Sequence, residues 1–167
     1  HLKAFALSGM MMFAGFTVIP YITIYLQSNA GMHPEQVPWV YLLGGTATLL
    51  SARFFGRLTD RVGKVQVFRR LALAVTVPLM ATTLSAGLPL AGLLAISTAL
   101  FTVMSGRMIP GMALIASAVE PRLRGTFMTL NSAVQSAAID AIGPVRWIVA
   151  PNSFHYVYVA AFSARYP

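Results

Sequence analysis

Cysteine is absent from the chain, and acidic residues nearly so: four Asp and Glu stand against twelve Lys and Arg. Without a thiol there is no disulfide framework, no cysteine zinc site and no thiol chemistry. The three histidines, His1, His33 and His155, lie at ends or in loops and the four acids are scattered. Neither a nucleophile–base pair nor a pair of carboxylates converges, so no metal site and no covalent chemistry is expected, and the chain is not read as an enzyme. Charge of either sign is scarce, at 10% of 167 residues against 57% hydrophobic, where a soluble domain carries about 25% charged residues. That excludes a water-covered globule. The net charge of +8 does not point to nucleic acid, because the basic residues sit in two hydrophobically flanked stretches without interleaved stacking aromatics.

What is present is a succession of long apolar runs. A bilayer crossing takes about 20 apolar residues, and the length accommodates five spans, near residues 5–26, 39–55, 69–86, 90–113 and 126–145, with an incomplete sixth at 154–163. The expected fold is an all-α membrane protein forming one transmembrane domain over 1–167, read as a fragment of a larger chain because it begins at His1 without an initiator methionine. Pro20 lies inside the first run, where a missing amide donor kinks a helix, and Pro110 is placed to do the same in the fourth. Tyr21 and Tyr25 share a face there, as interfacial anchors or as cavity lining. In the second run Gly44, Thr48, Ala52 and Gly56 recur every four residues, a stripe that admits another helix closely. The uncharged run from Leu71 to Gly106 is too long for one crossing, and Ser85-Ala86-Gly87-Leu88-Pro89 is the place for it to turn.

Lys3, Arg57, Arg61, Lys64, Arg69, Arg70, Arg122 and Arg124 fall on one side of this alternating topology. By the positive-inside rule that side is cytoplasmic.

The densest charge is the stretch Arg53 to Arg70, read as a short loop between two spans. Within it Gly56, Asp60, Arg61, Gly63 and Lys64 have the spacing G-x-x-x-D-R-x-G-K, which resembles the loop signature of the major facilitator superfamily of secondary transporters. Val18-Ile19-Pro20-Tyr21, Tyr41-Leu42-Leu43-Gly44-Gly45, Ser105-Gly106-Arg107-Met108-Ile109-Pro110 and Arg124-Gly125-Thr126-Phe127-Met128, with Asn131 and Gln135, follow in an order similar to the second half of a twelve-helix efflux transporter of the drug:proton antiporter and sugar-efflux type. The resemblance runs from Phe5 to Gln135. Val65 departs from it where a second basic residue is common, and the small-residue pattern fades after Ala138.

The resemblance implies a C-terminal six-helix half whose missing N-terminal half supplies the other wall of a midplane cavity. It implies alternating access in a bacterial inner (plasma) membrane, no cofactor, and efflux of a small organic solute driven by the proton gradient. It makes the Gly56–Lys64 loop a cytoplasmic latch, with Asp60 and Arg61 holding one conformation and Lys64 supporting the network or facing lipid phosphates.

Two charges lie within spans: Arg107, expected a turn or two from a helix end, either functional or snorkelling to the interface, and Asp140, a candidate for proton coupling. Asn131 and Gln135, four apart, share a face that lines a cavity or bonds a partner helix. The rival readings are an intramembrane enzyme and a non-transporting half-protein that binds other subunits through the Gly44–Gly56 stripe.

Overall fold

The computed structural model describes residues 2–142, and side chains as far as residue 133. Asp140 and Gln135 are therefore placed only as backbone positions, and the partial span at 154–163 lies outside the described residues. His1–Arg124 form one compact unit and Gly125–Pro167 a second.

Every regular element described is helical: α1 Leu2–Phe16, α2 Ile19–Ala30, α3 Val37–Val62, α4 Lys64–Ala74, α5 Thr76–Thr83, α6 Leu90–Gly106, α7 Met108–Ser117 and α8 Arg124–Ile142, with short 3-10 turns at Pro34–Gln36 and Pro121–Leu123. Six of the first seven, all but α3, pair into longer pieces. Among the described residues, Leu2–Ala30, Lys64–Thr83 and Leu90–Ser117 are long and apolar enough to cross a membrane. α3, at 26 residues, has the length. Its glycines, threonines and Arg53 dilute its apolarity, so it stands apart from those three.

Each of the three crossing segments is broken once, and each break precedes a proline. Thr17 and Val18 separate α1 from α2 ahead of Pro20, Val75 separates α4 from α5 ahead of Pro78, and Arg107 separates α6 from α7 ahead of Pro110. The cause is common to all three. Proline brings no amide proton to the carbonyl four residues earlier, and its ring crowds that carbonyl, so the ladder opens just before it. At 1.5 Å per residue the breaks lie about 15 to 23 Å from the segment ends nearest the basic residues.

Lipid offers no hydrophobic reward for bringing helices together, so their packing rests on shape. Here large side chains enter glycine positions. A Cβ on Gly44 of α3 would stand 2.8 Å from the Phe101 ring of α6, and one on Gly106 of α6 would stand 2.6 Å from the Phe55 ring of α3. The exchange runs in both directions along one helix pair. Ile22, Leu26, Val40, Leu93, Leu100 and Met104 close one end of this interface. Phe55, Val67 and Leu71, with Leu58, Val62, Val103 and Ile109, close the other. The small-residue stripe thus receives an aromatic ring at Gly44, whereas nothing lies within 4 Å of a Cβ built on Gly56. Within this unit Gly56 mediates no close approach, which corrects that part of the reading.

Candidate functional site at the broken helices

The signature stretch is mostly helix, not loop. α3 continues through Asp60 and Arg61 to Val62, and α4 begins at Lys64. Only Gly63 turns the chain, with φ 100 and ψ 142, a conformation that a Cβ disfavours. The loop expectation fails because Leu58 and Val62 keep the helical register that packs on Val67 and Leu71. Asp60, Arg61 and Lys64 are all exposed. Asp60 therefore sits in the last turn of α3 and not at a helix N-terminus. There its charge opposes the helix dipole, an effect of about 0.3–1 kcal/mol, whereas that of Arg61 complements it.

Arg107 occupies the break between α6 and α7. Ten residues of α7, Met108–Ser117, continue beyond it, so it lies about 15 Å of helix rise from the segment end, deeper than the turn or two expected. It is half-buried, and its Nε is enclosed without a hydrogen-bond partner. Three helices converge on this break. Phe55 of α3 fills the space beside Gly106, while Met11 of α1 and Phe68 of α4 lie 2.5 Å and 3.2 Å from where a Gly111 Cβ would be. Pro110 is fully buried between these two glycines.

The tyrosines separate. Tyr21 is 62% exposed. Tyr25 is half-buried, and its hydroxyl donates to the Thr83 carbonyl over 2.9 Å. That carbonyl, at the end of α5, has no amide of its own helix to accept, so Tyr25 ties α2 to α5.

In the second unit Asn131 is buried, with Oδ1 unpaired. An open groove of about 500 Å³ along α8 is lined by Thr126, Thr129, Leu130 and Ala133, and Asn131 is not part of its lining. Among the described residues no group of His, Cys, Asp or Glu is placed to hold a metal ion. Sequence reasoning missed Pro78, whose signal was available: it sits inside an apolar run as Pro20 and Pro110 do.

Long apolar helices each broken once, packed by glycine and aromatic exchange and carrying a half-buried arginine, mark an integral, all-helical membrane protein. The chain belongs to the Major Facilitator Superfamily, whose family model matches residues 4–164, and membrane transport is the function of that class. No curated protein and no solved structure matches it.

Proposed function

We propose that the chain is the C-terminal six-helix half of a twelve-helix secondary transporter that exports a small organic solute, drug-like or sugar-like, by alternating access driven by the proton gradient. It has five full spans and a sixth toward its end, the basic ends face the cytoplasm, and the membrane is the plasma membrane, a bacterial inner membrane. No covalent chemistry and no cofactor is assigned to it.

The observation that carries this reading is Arg107 at the mid-span break of Leu90–Ser117. A charge at that depth is expensive and marks a solute or ion path. Broken helices near the midplane are where transporters of this kind build their sites. An arginine so far from the helix end, with its Nε enclosed, is poorly placed to snorkel. Tyr21 and the Asn131–Gln135 face are further candidates for cavity lining, Pro20 and Pro110 are the hinges, and Asp140 is the acid available for proton coupling.

The position of Asp60 supports a latch. A carboxylate in the last turn of its own helix is opposed by that helix's dipole, which favours a partner elsewhere. We assign that partner to the N-terminus of a helix in the opposite half, with Arg61 and Lys64 in the same network. A latch of about 2 kcal/mol biases two states by about thirtyfold, enough to favour one access state without locking it.

The experiment is solute flux in proteoliposomes of the complete transporter under an imposed pH gradient. Asp60→Asn is expected to lower flux about tenfold or more at equal protein level, with insertion intact. Unchanged flux removes the latch, and flux indifferent to the gradient removes proton coupling.

A further inference from the structure

We propose that Arg107 binds an anionic group of the solute and that the exported solute is a singly charged organic carboxylate, a specificity that rests on the export reading above. Arg107 is the one charged residue of Leu90–Ser117. Its Nε is enclosed without a hydrogen-bond partner, and it forms no ion pair among the described residues. A guanidinium drawn out of water needs an acceptor to replace its hydration. Its own unit does not supply one. The side chains that crowd the break, Phe55, Met11 and Phe68, bring no oxygen acceptor. The acids of His1–Arg124 are Glu35, Asp60 and Glu120, and all three are exposed. Glu35 stands in the turn before α3, Glu120 lies past the end of α7, and Asp60 belongs to the latch.

A carboxylate that travels fits this arginine better than a fixed one. An acid of the opposite half would lose Arg107 each time the halves part, leaving two bare charges. Asp140, were it the partner, would be held ionised and so unfit to carry a proton. A solute carboxylate arrives with the counter-charge and leaves with it. One cation also sets the charge of the solute. Phe55 meets Gly106, and at about 100° per residue Arg53 projects from roughly the opposite side of α3 to Phe55. The described residues therefore offer Arg107 no second cation. A single guanidinium matches a single carboxylate, two N–H donors to two oxygens, whereas a phosphate dianion keeps an uncompensated charge.

The test uses the complete transporter in mild detergent with matched probes at equal ionic strength: gluconate against sorbitol, and N-benzoylglycine against its amide. Thermal unfolding at increasing probe concentration gives the affinity for each. The wild-type protein is expected to bind the carboxylate of at least one pair about tenfold or more tighter than its neutral partner, the scale of a hydrogen bond to a charged group. Arg107→Gln is expected to remove that preference. Arg107→Lys is expected to keep part of it, since the charge stays and the fork goes, and Arg69→Gln with Arg70→Gln to leave it unchanged. Equal wild-type affinity within both pairs, absence of binding included, overturns the proposal without recourse to any variant and gives Arg107 to a fixed carboxylate. An equal loss in the Arg69 and Arg70 variant also overturns it, since the attraction is then that of the general positive charge. Flux in proteoliposomes under a pH gradient separates the two readings. Preference without flux overturns export, and the solute's role with it, and leaves the anion site. Flux of both members of a pair alike leaves export and overturns the anion site.

Discussion

A guanidinium half-buried at mid-span with its Nε unpaired weakens the fold that holds it, because an unsatisfied charged group forfeits its hydration without a replacement. Arg107→Gln removes that charge. The expected outcome is an unchanged or raised melting temperature in detergent together with flux reduced about tenfold or more, the pattern of a residue retained for function against stability. Lower stability with proportionate loss of flux assigns Arg107 to the fold alone. Tyr25 shows the opposite balance. Its hydroxyl meets an otherwise unpaired helix-end carbonyl, so its polar atom is committed to joining α2 to α5, and its spacing from Tyr21 does not disclose this.

Glycine has two distinct uses along the helices, and they separate by experiment. Gly106→Ala places a methyl 2.6 Å from the Phe55 ring, and overpacking of this kind costs about 1–3 kcal/mol. Gly56→Ala meets nothing within 4 Å, and alanine in a helix interior is favoured over glycine by about 0.5–1 kcal/mol. Thermal unfolding is therefore expected to show Gly106→Ala destabilised and Gly56→Ala unchanged or stabilised. If Gly56→Ala nonetheless lowers flux, its small size serves a helix outside this unit, as the latch requires. The prolines act at the same scale. Pro20, Pro78 and Pro110 each follow the break in one crossing segment, so each of those three elements consists of two helical pieces and a joint.

Among the described residues the basic side chains other than Arg53 and Arg107 lie at or near the same alternate ends of the helices, while the connections at Gly31–Gln36 and Ser85–Pro89 carry no basic side chain apart from His33. These 167 residues contain no cysteine, so single cysteines placed among them report topology without background from this stretch. Arg69→Cys is expected to react with an impermeant maleimide only from the cytoplasmic face of oriented vesicles, and Gly87→Cys only from the other. Labelling of both from one face overturns the topology.

Apolar run length and charge asymmetry were legible in the sequence because the bilayer imposes them one residue at a time, through transfer cost and backbone satisfaction. The motif blocks from Val18 to Gln135 carried the family for the same reason: they are local. Gly87 and Pro89 made the break between α5 and α6 readable. Asp60 was misplaced because a helix end depends on what its last turns pack against, and Leu58 and Val62 are held by Val67 and Leu71 from the next helix. The depth of Arg107 likewise depended on α7 continuing past Pro110, which the packing of Met11 and Phe68 around Gly111 supports. By itself the sequence determined the solvent, the helical class, the charged end and the family. Only the tertiary structure decided which glycine receives which ring, where the helices end and how deep the arginine lies, because those are properties of side chains from different helices meeting in space.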